Sequence, residues 1–150
     1  MMFNIVPYVS VGPLRWGMSP TDVAQAIGAP TQASKKNKGG LFEFREPAMV
    51  SCTYEASTKR LVEVGFSRMI GVAIFDGVDL NAGPGKKVLA DLIRRDPKAV
   101  RGSGAFVFPA LGISLFGYFP EEPDTKAATA FAPGRWDDMI PLMKERLPRV

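Results

Sequence analysis

Leu41-Phe42-Glu43-Phe44, Val50-Ser51-Cys52-Thr53-Tyr54 and Leu61-Val62-Glu63-Val64-Gly65-Phe66 follow one another in the chain, and their alternation decides the fold. Successive side chains of a strand point to opposite faces, so runs that alternate apolar and polar residues read as half-buried strands. The second run is rich in β-branched residues, and Glu63 faces away from Val62 and Val64. Ala56-Ser57-Thr58-Lys59 is the polar turn between the second and third runs. Together they predict an antiparallel meander.

Ahead of the meander lies a helix signal. In Gly12-Pro13-Leu14-Arg15-Trp16-Gly17-Met18-Ser19-Pro20-Thr21-Asp22-Val23, Ser19 suits an N-cap and Pro20 the first helical position. Asp22 can reach back in a capping box. Val23, Ala24 and Ile27 share one face, and Gly28 and Pro30 stop the helix. Trp16 is expected to staple the chain against this helix or to anchor a partner. Lys35-Lys36-Asn37-Lys38-Gly39-Gly40 reads as a polar loop tip.

Downstream the pattern begins again. Val72-Ala73-Ile74-Phe75 reads as a strand, and Gly77 to Gly85 as a loop holding Asn81, a possible cap, and Pro84. Lys86 to Arg95 is the strongest helix, with Val88, Leu89, Leu92 and Ile93 in one apolar stripe and Pro97 as its end. Strands follow at Ala105-Phe106-Val107-Phe108 and at 112–119, and Phe42, Phe44, Phe106 and Phe108 are all expected to pack in the sheet. Ser19-Pro20 overlays Gly83-Pro84 and Leu41 overlays Ala105, each 64 residues apart, while Val50 overlays Ile113 at 63. The expectation is one α+β domain over 1–150, with an antiparallel sheet and two or three helices on one face. It has two similar helix-then-strands halves, about 11–66 and 72–119, and an extension, about 120–150. That extension holds a last strand at 127–132 and a helix from Arg135 to Leu147, with Trp136, Ile140, Met143 and Leu147 on one face and Pro141 to kink it or mark its start.

Composition narrows the function. Apolar residues are 46% and charged residues 23% of 150, which suits a buried core. The run Met69 to Phe75 is far short of the ~20 apolar residues that span a bilayer. The first residues lack the basic and long apolar regions of a signal peptide, and Cys52 is the sole cysteine, so a reducing, cytoplasmic setting is expected. The net charge of +4 is mild and scattered.

No histidine is present, which removes the commonest general base, the usual triads and most zinc sites. Cys52 therefore reads as core. Asp76 with Asp79, Glu121 with Glu122 and Asp124, and Asp137 with Asp138 are the carboxylate groups open to acid–base work, but solvation explains the acidic loop and the helix dipole the helix-start pair, so no catalytic role is expected of them. Ala82-Gly83-Pro84-Gly85-Lys86-Lys87 departs from a phosphate loop, having Leu80 where the first glycine belongs and Lys87 where a hydroxyl belongs. No catalytic set, metal site or cofactor is expected. Lys35, Lys36, Lys38, Lys86, Lys87 and Trp16 are the candidate partner-binding residues.

The opening Val11 to Val23 with Gly28-Ala29-Pro30, followed by a meander, resembles the helix-plus-meander units of outer-membrane-assembly small lipoproteins and of tandem-repeat β-lactamase inhibitor proteins. It is also similar to bacterial immunity proteins encoded beside polymorphic or contact-dependent toxins. That last resemblance implies a cytoplasmic protein without catalytic residues that neutralises a cognate toxin by protein–protein contact, here one with an acidic surface. The alternative is a nucleic-acid or anionic-ligand binder using the same lysines, although aromatic residues are not interleaved with them.

Overall fold

Ser19 caps the first helix by accepting a hydrogen bond from the Asp22 amide at 3.1 Å, while the Asp22 carboxylate accepts from the Ser19 amide at 3.2 Å. This reciprocal box starts α1, Pro20–Ile27, and Gly28 ends it at φ 91°, a conformation glycine adopts without a Cβ clash. The computed structural model describes residues 1–35 and 40–150.

The predicted meander forms as β5 (Leu41–Arg45), β6 (Val50–Tyr54) and β7 (Leu61–Ser67), and β4 (Gln32–Lys35) extends it. A second meander comprises β10 (Val100–Gly102), β11 (Ala105–Phe108), β12 (Ile113–Phe116) and β13 (Ala127–Phe131). β13 lies in the 120–150 segment and pairs antiparallel with β7, so the two meanders join into an eight-stranded sheet of order β10-β11-β12-β13-β7-β6-β5-β4.

A smaller sheet stands apart. β1 (Phe3–Val6), β2 (Ser10–Val11) and β3 (Leu14–Arg15) join β8 (Ala73–Phe75) and β9 (Val78–Asp79) in the order β3-β2-β1-β8-β9. The Val72–Phe75 run thus leaves the main sheet, contrary to the single-sheet expectation, and pairs in parallel with β1. α2 spans Gly85–Arg95, and its N-cap is Pro84. Asn81 is no cap: it is buried, and its amide reaches the Phe66 carbonyl at 3.4 Å.

Register separates the two faces of the large sheet. Cys52, Val64, Ala130, Ile113 and Phe108 oppose one another in a row on the inner face. They share one core with Val23 of α1, Leu89 and Leu92 of α2, and Phe3, Ile5 and Ala73 of the small sheet. The outer face carries a second row, Gln32-Phe44-Ser51-Gly65 and Thr129-Ser114-Val107-Val100, which meets at the Gly65–Thr129 pair.

The expected C-terminal helix does not form. Residues 135–147 run through turns and one short 3-10 turn, Ile140–Leu142. Pro141 has no amide to donate, and the apolar residues are needed on two sides of the sheet. Trp136, Ile140 and Met143 pack on the outer face with Val107 and Phe131, whereas Leu147 packs against the inner core. Between them Glu145 bridges to Arg101 of β10, with its amide donating to the Arg101 carbonyl at 2.9 Å. The segment therefore wraps the β10 edge, which a straight helix cannot do.

Candidate functional site

The aromatic residues expected to pack alike fall into two groups. Phe106 and Phe108 are buried in the core. Phe42 and Phe44 lie on the opposite, outer face, are only partly buried, and belong to neither hydrophobic cluster among the described residues. Phe116, also on that face, is 45% exposed. The reason is register: Phe44 pairs with Ser51 and Phe106 with Leu115, so identical alternation puts the rings on opposite sides.

Between the rings the face is low and polar. Ser51, Gly65, Thr129 and Ser114 cross four adjacent strands in register. A Cβ on Gly65 would stand 2.5 Å from the Ser51 hydroxyl oxygen, so a larger residue there would have to turn that hydroxyl aside. One rim carries the Glu63–Arg135 ion pair, Nε to Oε2 at 2.6 Å, which ties the C-terminal segment to β7. Beside it Glu63, Arg135, Trp136 and Met139 line a cavity of about 220 Å³. Rigid aromatic rings around adaptable hydroxyl groups are what protein-recognition surfaces use, since they give contact area at small entropic cost.

The lysines and Trp16 do not converge on this face. Lys35 ends the edge strand β4, Lys86 and Lys87 occupy the first turn of α2, and Trp16 packs partly buried against the inner core with its indole N–H unpaired among the described residues. Lys36 and Lys38 lie outside the described residues. The anion position at the start of α2 is filled from within the chain. The Gly85 amide donates to Glu121 Oε1 at 3.1 Å, and Lys126 Nζ donates to Glu121 Oε2 at 2.8 Å and to the Gly83 carbonyl at 3.1 Å. These hydrogen bonds, first from Lys126 and then from Gly85, hold the Glu121 carboxyl below its ordinary range.

Asp79 and Asp76 also have structural partners. Asp79 accepts from the Gly71 and Asn81 amides at 2.6 and 3.1 Å, and Asp76 pairs with Arg95 at 3.0 Å. The cavity of about 330 Å³ next to them is lined by Val78, Asp79, Pro84, Lys87, Val88 and Asp91, among others. Buried Asp96 accepts from the Lys98 and Ala110 amides, both at 2.8 Å. On the inner face Arg45 Nε donates to the Gly28 carbonyl at 2.9 Å, and Tyr54 donates to Glu43 at 2.8 Å. Arg45 Nη1 lies 3.1 Å from Glu43, close enough for attraction, although its N–H bonds are not aimed at that oxygen. Cys52, fully buried beside this pair, has its thiol pushed up to about 12, chiefly by burial. It is a core residue, as its strand position predicts.

No helix among the described residues is long and apolar enough to cross a membrane. No protein-family model, curated protein or solved structure matches the chain.

Proposed function

We propose that this chain is a protein-binding module that docks its partner on the outer face of the eight-stranded sheet. The observation that supports the reading is the pair Phe44 and Phe116, outside both hydrophobic clusters of the described residues, around the low Ser51-Gly65-Thr129-Ser114 row. Following the resemblance of the opening residues to immunity proteins, the partner is a bacterial toxin that binding neutralises. The face is uncharged at its centre and carries one ion pair at its rim. Association is therefore expected to rest on apolar contact, with charges elsewhere, Lys35 among them, affecting the rate of encounter with an acidic surface.

The test is co-expression with the toxin encoded by the neighbouring gene. Phe44→Asp and Thr129→Arg should each abolish capture and protection while the melting temperature stays near that of the parent chain. Retention of both activities in these variants rejects the face as the interface. Failure of the parent chain to bind or protect rejects the toxin reading. Binding of duplex DNA that falls steeply with salt supports the anionic-ligand alternative instead.

A further inference from the structure

Arg45 is 5% exposed, yet its charged head is incompletely partnered. Its Nε donates to the Gly28 carbonyl, which ties β5 to the end of α1. Nη1 stands 3.1 Å from Glu43 without aiming an N–H at it, and neither Nη1 nor Nη2 has a hydrogen-bond acceptor among the described residues. A guanidinium is all donor and no acceptor, so only the Nε donor of this one is used. The Cys52 sulfur beside it is a weak acceptor and does not alter that balance. Buried donors left over in this way are costly, and in folded proteins they nearly always meet an acceptor.

Arg45 also lines a cavity of about 240 Å³ between the start of β1, the end of α1 and the β5–β6 turn. Phe3, Ile27, Ala48 and Val50 supply apolar walls, and exposed Glu46 stands at the side open to solvent. Phe3 and Val50 belong to the packed core, so these walls are rigid. At roughly 30 Å³ for each water, the space takes a body of about eight non-hydrogen atoms. An apolar hollow with a few convergent polar groups is the usual form of a small-molecule site.

The charges around the cavity select the ligand. Glu43 already balances Arg45, and Glu46 adds a second carboxylate at the wall. An anionic ligand would bring a further negative charge to one guanidinium in a poorly hydrated place, where like charges repel strongly. A neutral acceptor meets the same N–H groups without that repulsion. The geometry points to a binding site here for a small neutral molecule with an apolar body and a carbonyl oxygen. The oxygen accepts from the Arg45 guanidinium, and the body packs on Phe3, Ile27 and Val50. The site lies on the inner side of the large sheet, so it is independent of the outer face proposed above for the protein partner.

The probes are acetophenone, which has such a body and such an oxygen, and benzoate, an anion of similar size. Titrated into the full-length isotope-labelled protein, acetophenone should give saturable shifts centred on the Phe3, Ile27, Ala48 and Val50 amides, half-complete at or below about 1 mM. Benzoate should bind at least about tenfold more weakly. Ala48→Phe fills the cavity and should abolish the shifts. Arg45→Met combined with Glu43→Gln should weaken binding at least about tenfold. Removing both charges together avoids leaving one of them buried alone.

The absence of saturable shifts up to about 5 mM acetophenone, the result expected if water alone serves the guanidinium, overturns the inference. Benzoate binding as tightly as acetophenone overturns it as well, and so does undiminished binding by either variant. Amide spectra verify that the variants are folded. If the double variant is not, Ala48→Phe, which leaves Arg45 in place, decides the matter.

Discussion

Gly85 shows how a single hydrogen atom in place of a methyl sets local stability. It opens α2, where alanine ordinarily stabilises a helix by about 0.5–1 kcal/mol relative to glycine. A Cβ here would stand 2.5 Å from the Tyr118 carbonyl oxygen, and backbone cannot swing aside. Gly85→Ala is therefore expected to destabilise by about 1–3 kcal/mol, read as a lower urea midpoint at unchanged slope. The same corner contains Glu121, whose carboxyl is held low by Lys126 and the Gly85 amide. A lowered carboxylate pKa favours the folded state above the ordinary glutamate range, and the contribution disappears as pH falls through the folded-state value. Glu121→Gln should therefore cost stability near pH 7, by no more than about 1 kcal/mol because the side chain is 37% exposed, and nothing in strong acid. A gap between the two thermal curves that persists in acid contradicts this assignment. Cys52 offers a third check. Its thiol is fully buried and raised to about 12, so a thiol reagent should modify it only at the rate at which the fold opens.

Elements were legible wherever local chemistry decides them. The Ser19–Asp22 box and Gly28 bound α1, and the stripe Val88, Leu89 and Leu92 faces the core from α2, because caps and helical spacing act within a few residues. The meander strands were legible for the same reason. The face that each strand turns inward was not, since register depends on which distant strand lies alongside: Phe42-Glu43-Phe44 turns Glu43 inward, while Phe106-Val107-Phe108 turns both rings inward. The strands β2, β3, β9 and β10, of two or three residues each, carry too few residues for alternation to be visible. The 135–147 segment has helical spacing at Trp136, Ile140 and Met143, yet that spacing serves a wrap around the β10 edge. Met143 is the buried anchor of this wrap, so Met143→Ala should cost about 2–3 kcal/mol and expose the edge, seen as lower stability together with concentration-dependent aggregation. Unchanged stability would mean that the segment is not held on the outer face.

At the scale of the molecule, one layer holds both helices and the small sheet against the inner face, and the C-terminal segment covers part of the outer one. Among the described residues the Phe44 side of the outer face is the less covered one, although the sequence alone predicts that Phe44 packs in the sheet. Lys35, Lys86, Lys87 and Trp16, singled out from charge and context, stand on the sheet edge and the helix layer instead. The most direct test is calorimetric titration of the neighbouring-gene toxin into the parent chain, Phe44→Asp and the double variant Lys86→Glu with Lys87→Glu. Binding through the outer face predicts at least about a hundredfold loss for Phe44→Asp and near-parent affinity for the double variant. The reverse pattern, with Phe44→Asp binding as the parent does and the double variant failing, would contradict the account.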